Sequence, residues 1–216
     1  CSPEEVPSLL KAAKELGLHV KGLSFHVGSQ STSPSTHVAA IEACSRLIEE
    51  YEVPIRILDI GGGFPVDYDH ATDIDIYAFC TPIRAALAKL PEHVEVIAEP
   101  GRFLIAPAAA SITTVAGKAM RGDQPWYYLD DGVYGMFSGR IYDHARYPLH
   151  VFRSGPTRPS ALVGPTCDSI DVIEEAIELP ELEVGDLVVG RMMGAYTAAT
   201  ASTFNSLPIP RIVVFG

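Results

Sequence analysis

Three short apolar runs, each closed by a polar or glycine-rich turn, constrain the fold of this chain more than any other feature. They lie at residues 20–27, 55–60 and 94–98, so their starts recur about every 35–39 residues, a spacing that suits repeated β/α units. The sequence between them has helical periodicity. Residues 36–50 place Ile41, Cys44, Leu47 and Ile48 on one side, and a further helix falls within residues 74–90, kinked or restarted at Pro82. Ahead of the first run, Ser2-Pro3-Glu4-Glu5 has the form of a capping box, with Ser2 as N-cap, Pro3 at N1 and Glu5 at N3. Val6, Leu9, Leu10 and Ala13 give that helix one apolar face, and Gly17 supplies its stop. Apolar strands alternating with helices predict a parallel sheet covered by helices.

Beyond residue 103 the helical periodicity fades. Short β-prone runs at residues 111–115, 126–129, 147–152, 161–163, 187–189 and 211–215 predict a second, mostly antiparallel domain. The expected architecture is α/β: the later part of a (β/α)8 TIM-like barrel over residues 1–103, then a β domain over residues 104–216. Three strands cannot close a barrel of about eight. The expectation is that an N-terminal segment or a second chain completes it.

Composition removes several function classes. The 216 residues carry 16 Lys and Arg against 27 Asp and Glu, a net charge of −11, which disfavours nucleic acid and anionic membranes as partners. No apolar run approaches the ~20 residues that span a bilayer. The opening Cys1-Ser2-Pro3-Glu4-Glu5 is unlike a secretory leader. The four cysteines are isolated, so neither a disulfide framework nor a zinc site is expected, and the setting expected is cytoplasmic. The histidines suggest no metal.

The loops after the apolar runs hold the candidate chemistry. Gly61-Gly62-Gly63 directly after a strand lets backbone N–H groups approach an anion, and equally suits a tight turn. Glu99-Pro100-Gly101-Arg102 sets a carboxylate for a heterocyclic nitrogen near a guanidinium for a phosphate, and equally suits a surface ion pair. His26 at a strand end offers a flat ring to stack on an aromatic cofactor, and Ser29 a hydroxyl for a phosphate. Gly164-Pro165-Thr166-Cys167-Asp168-Ser169 sets a thiol beside a carboxylate in a turn-rich stretch.

Seven stretches together carry a resemblance. They are Phe25-His26-Val27-Gly28-Ser29-Gln30, Leu58-Asp59-Ile60-Gly61-Gly62-Gly63-Phe64-Pro65, Ala98-Glu99-Pro100-Gly101-Arg102, Tyr128-Leu129-Asp130-Asp131-Gly132-Val133-Tyr134-Gly135, Tyr142-Asp143-His144, the Cys167 loop, and Met193-Gly194-Ala195-Tyr196-Thr197. In this order the chain resembles the pyridoxal-phosphate-dependent ornithine/diaminopimelate/arginine decarboxylases of the alanine-racemase-like fold, and most closely their ornithine-acting branch.

The resemblance implies a lyase that uses pyridoxal 5'-phosphate to convert L-ornithine to putrescine in polyamine biosynthesis, or that acts on lysine or on both. It implies that His26 stacks on the pyridine ring and that Glu99 pairs with its nitrogen. Ser29, Gly62, Gly63, Arg102 and Tyr196 would hold the phosphate. Cys167 would protonate the substrate α-carbon, while Asp168 and Asp143, with Tyr142 beside it, would receive the distal amine of a small cationic substrate. It also implies a homodimer with shared sites, Cys167 and Asp168 reaching into the partner's site. The family's Schiff-base lysine lies upstream of the matching residues, and none of Lys11, Lys14, Lys21, Lys89 and Lys118 stands in its motif. This chain alone is therefore expected to be inactive. The reading from another class is a non-catalytic regulatory homologue, or an inactive fragment, that binds a partner.

Overall fold

A computed structural model describes residues 1–51, 55–68 and 74–215. The chain divides into two compact units, Cys1–Asp67 with Thr72–Phe103, and Tyr68–Ala71 with Leu104–Gly216.

The first unit is built on three parallel strands in the order β1-β2-β3: β1 (Gly22–Ser24), β2 (Ile57–Asp59) and β3 (Glu95–Ile97). Their register aligns Ser24, Asp59 and Ile97, so all three strands end at one level. Helix α1 (Val6–Glu15) precedes β1, α2 (Ser35–Glu50) joins β1 to β2, and α3 (Ile76–Leu87) joins β2 to β3. The expected helix start takes the form of a 3-10 turn, Pro3–Glu5, in which the Ser2 N–H donates to the Glu5 carboxylate (2.7 Å). Gly17 closes α1 with a φ of 70°, where a Cβ is disfavoured. Asp75 caps α3 by accepting from the Tyr77 and Ala78 N–H groups (2.9 and 3.2 Å). That helix runs through Pro82 instead of restarting there, and the Thr81 hydroxyl bonds the Tyr77 carbonyl one turn back (2.8 Å). Ile41 and Cys44 of α2 pack with Phe79, Ile83 and Ala86 of α3 against Leu58 of β2 and Ile60 just after it. Burying each such side chain contributes roughly 1.5–3 kcal/mol.

The second unit holds a six-stranded sheet in the order β6-β9-β4-β5-β7-β8. Its strands are β4 (Ser111–Arg121), β5 (Gln124–Leu129), β6 (Leu149–Val151), β7 (Arg158–Val163), β8 (Val172–Leu179) and β9 (Leu187–Gly190). All pairings are antiparallel except β5 with β7. Its most buried side chains include Tyr127, Leu129, Phe137, Leu162, Ile173 and Met193. Two expectations need correction. Residues 211–215 form no strand, and their apolar side chains are largely exposed, Val214 by 87% and Phe215 by 90%. Strand β8 was not anticipated. Its run of Glu174, Glu175 and Glu178 dilutes the apolar signal, because one face of this edge strand meets solvent.

Candidate active site

The register of β1, β2 and β3 delivers three loops to one rim, and backbone hydrogen bonds continue past the strand ends. The Phe25 N–H donates to the Asp59 carbonyl (3.1 Å), the Ile60 N–H to the Ile97 carbonyl (2.9 Å) and the Glu99 N–H to the Gly61 carbonyl (2.8 Å). The middle loop is wedged between its neighbours. A Cβ on Gly62 would sit 2.7 Å from the Glu99 carbonyl oxygen and 3.4 Å from His26 Nε2, so only glycine allows this approach. His26, Gly62 and Glu99 are thus brought together. The His26 ring is fixed by the Gly28 N–H, which donates to Nδ1 (2.9 Å), leaving the neutral ring's proton on Nε2.

The glycine loop has a directed polarity. Its three carbonyls are occupied: Gly61 by the Glu99 N–H (2.8 Å), Gly62 by His37 Nε2 (3.1 Å) and Gly63 by the Ser31 N–H (2.9 Å). In a trans peptide the next N–H points opposite to the carbonyl. The Gly62, Gly63 and Phe64 N–H groups are therefore turned away from these donors, and among the described residues they have no acceptor. Gly61 and Gly63 have φ of 64° and 88° with no positive φ at Gly62 between them, the alternation that forms a backbone nest for an anion. Asp59 sets the entry to the nest by accepting from the Gly61 N–H (2.8 Å).

Ser29 lies exposed on the first loop, and Arg102 is buried at the start of helix α4 (Gly101–Ile105) after the third. Gln30, at a φ of 56°, clamps the far side of the glycine loop. Its amide donates to the Val66 carbonyl (2.9 Å) and accepts from the Val66 N–H (2.8 Å).

The second unit carries the other candidates. Cys167 and Asp168 share a loop between β7 and β8 that Asp171 latches from below. The buried Asp171 carboxylate accepts from the Val133 N–H (2.8 Å), the Thr166 N–H (3.0 Å) and the Thr166 hydroxyl (2.7 Å). The Asp168 carboxylate accepts from the Tyr134 hydroxyl (2.5 Å) and the Ile170 N–H (3.1 Å). These bonds hold Asp168 below the usual carboxylate range, the Tyr134 hydroxyl foremost. The same contact pushes the Tyr134 phenol up to about 12. The Tyr134 ring stacks on Phe204 (4.3 Å between centroids), and the Cys167 thiol reaches Asn205 Oδ1 (3.7 Å). Tyr142 ends the short helix α5 (Gly139–Tyr142), and Asp143 caps it through its N–H to the Gly139 carbonyl (3.0 Å). Tyr196 lies on another loop, after β9, in a left-handed conformation (φ 54°).

The model of the pyridoxal-dependent decarboxylase pyridoxal-binding domain matches residues 1–106. The chain belongs to the pyridoxal-dependent decarboxylase family. It is 43% identical over 215 residues to a lysine/ornithine decarboxylase of Selenomonas ruminantium, covering 98% of this chain and 55% of that protein. It is 39% identical to the ornithine decarboxylase of Mus musculus, covering 94% and 49%. The structure of a lysine/ornithine decarboxylase from Vibrio vulnificus complexed with cadaverine matches with a TM-score of 0.91 and 53% identity, over 97% of this chain and 58% of that one. The chain spans about half the length of the curated relatives it matches.

Pyridoxal phosphate is the cofactor of this family of decarboxylases. The rim of the first unit fits it. Three N–H groups without an acceptor among the described residues form a nest that suits a phosphate, and a fixed imidazole and the backbone of Glu99 lie beside them.

Sequence reasoning singled out neither His37 nor Asp171, and it quoted Tyr134 within a matching stretch without giving it a role. His37 had a signal: it lies four, seven and eleven residues before Ile41, Cys44 and Ile48, on the same buried face of α2. Asp171 had none, because a buried latch and a solvated aspartate read alike in sequence.

Proposed function

We propose that the complete protein decarboxylates L-ornithine to putrescine, serving polyamine biosynthesis in the cytoplasm as a homodimer. The observation that carries this reading is the oriented Asp168 carboxylate beside the Cys167 thiol. Asp168 uses one oxygen toward Tyr134 and the other toward Ile170, and both oxygens retain acceptor capacity for an ammonium group. Its lowered proton affinity keeps it charged at neutral pH.

Pyridoxal phosphate, when bound, supplies an electron sink for the carbanion left by departing carbon dioxide. The nest of Gly62 and Gly63, with Ser29, Arg102 and Tyr196, binds its phosphate. His26 offers its ring face, and Glu99 keeps the pyridine nitrogen protonated. Cys167 delivers a proton to the substrate α-carbon. Asp168 and Asp143, with Tyr142, receive the distal ammonium, and Cys167 and Asp168 each perform their role in the partner's site. The division into a cofactor-binding domain at residues 1–103 and a β domain at residues 104–216 belongs to the same proposal.

A second reading, action on lysine as well, is favoured by the name of the 53% identical Vibrio vulnificus protein, lysine/ornithine decarboxylase. The test is carbon dioxide release and amine chromatography with ornithine and lysine on the full-length protein. Putrescine from ornithine is expected. Cadaverine formed at comparable kcat/KM would establish the dual reading, and no amine from either would leave the regulatory-homologue reading.

A further inference from the structure

His37 is fully buried, yet the resemblance gave it no role. It sits in the first turn of α2, with its ring 4.9 Å from Phe64, 6.0 Å from Phe79 and 6.5 Å from Phe25 between centroids. Its Nε2 lies 3.1 Å from the Gly62 carbonyl oxygen, and its Nδ1 has no hydrogen-bond partner among the described residues. A carbonyl only accepts, so Nε2 must carry the proton. The bare Nδ1 within the aromatic cluster then identifies one tautomer of a neutral ring.

This bond has a consequence for the phosphate site. The Gly62 carbonyl and the Gly63 N–H belong to one rigid, trans peptide unit. Holding the carbonyl toward α2 turns the N–H the opposite way, to the side where it has no acceptor among the described residues. The peptides on either side are held by backbone donors from neighbouring loops. The middle one alone depends on a side chain, and glycine flanks it on both sides of the bond, so its intrinsic rotation is the least restricted. A buried neutral donor is well matched to this position, since it fixes the carbonyl without bringing a charge that would compete for the anion.

We infer that His37 is a positioning residue that aims the Gly63 N–H at the cofactor phosphate. The inference rests on the proposed pyridoxal phosphate site and deepens it.

The test uses the full-length protein stripped of cofactor, with pyridoxal phosphate and pyridoxal, which lacks the phosphate, titrated separately by fluorescence quenching. His37→Leu keeps an apolar side chain without a donor, and His37→Gln keeps an N–H donor at nearly the same reach. Losing one aimed hydrogen bond weakens pyridoxal phosphate binding by about three- to tenfold. Pyridoxal binding is expected to be unchanged in His37→Leu, and His37→Gln is expected to recover most of the lost phosphate affinity. Equal losses for both ligands, or none, in His37→Leu would overturn the inference while leaving the cofactor site standing. Failure of the unsubstituted protein to distinguish the two ligands would overturn the phosphate site itself. Should His37→Leu not fold, histidine ring ¹⁵N shifts of the unsubstituted protein decide. An Nε2–H tautomer at His37, with the Gly63 amide shifting as inorganic phosphate is added, supports the inference, and an Nδ1–H tautomer refutes it.

Discussion

Cys167 and Asp168 are adjacent in sequence but face different partners, the thiol toward Asn205 and the carboxylate toward Tyr134 and Ile170. Their substitutions should therefore separate. In the full-length protein, Cys167→Ala is expected to slow turnover and divert part of the flux to aldehyde, with ornithine affinity retained. Protonation at the α-carbon would then lose its donor. Asp168→Ala is expected to weaken ornithine binding about ten- to a hundredfold, because the distal ammonium loses a charge-assisted contact. Product chromatography and substrate titration of each variant check both outcomes; unaltered diamine at the normal rate from Cys167→Ala would place the proton donor elsewhere. The Tyr134 hydroxyl adds a pH signature. A carboxylate whose folded proton affinity is lowered contributes stability above its unfolded value near 3.9, and that contribution is lost as pH falls through the folded value. Removing the hydroxyl weakens the main cause of the lowering. In Tyr134→Phe the Asp168 carboxyl ¹³C resonance should titrate at higher pH, and an unmoved midpoint would show that the backbone of Ser169 and Ile170 sets it without the phenol.

At the scale of elements, the two candidate loops are held by different devices. The glycine loop is wedged, so Gly62→Ala drives a methyl group to 2.7 Å from the Glu99 carbonyl and displaces two loops together. Over-packing of this kind costs about 1–3 kcal/mol. The expected result is a lowered melting temperature together with at least tenfold weaker pyridoxal phosphate binding; a melting change alone would separate the loop from the cofactor. The Cys167 loop is latched, so Asp171→Asn should loosen it by leaving buried donors without an acceptor, again at about 1–3 kcal/mol. Raised backbone hydrogen exchange over residues 164–171 would report the release. These devices also explain what the sequence made legible. Period and strand-end glycines located α2, α3 and the three parallel strands, since repeated burial leaves a repeated pattern. Seven motifs brought out the residues proposed to meet the cofactor and substrate. The holders' roles escaped notice: His37, Asp171 and Tyr134 act through contacts between segments distant in sequence, 25 residues apart for His37 and Gly62 and 38 for Val133 and Asp171. No local pattern encodes such pairs. Residues 211–215 show the converse, since a β-prone apolar run alone does not make a strand.

Among the described residues of the whole molecule, both edges of the parallel sheet are open. In the order β1-β2-β3 each outer strand pairs with one neighbour among the described residues, and Val96 and Ile97 of β3 remain 38% and 43% exposed. Parallel sheets are ordinarily covered on both faces, and open apolar edges recruit other chains. Residues 1–216 expressed alone are therefore expected to aggregate, or to become soluble only with a further polypeptide that supplies the neighbouring strands. Light scattering after size exclusion checks this, and a cooperatively melting monomer of 23.2 kDa would refute it. The same material tests where the covalent chemistry resides. Lys21 lies just before β1, at the opposite end of the strands from the rim, while Lys11 and Lys14 are on α1, Lys89 follows α3, and Lys118 is on β4, paired with Glu183 (2.7 Å). None belongs to the loops that carry His26, Gly62 and Glu99. Incubation of refolded residues 1–216 with pyridoxal phosphate, followed by borohydride and peptide mapping, should yield no single modified lysine. One lysine labelled stoichiometrically would mean that this stretch carries its own covalent anchor, and that the cofactor lies elsewhere than against the glycine loop.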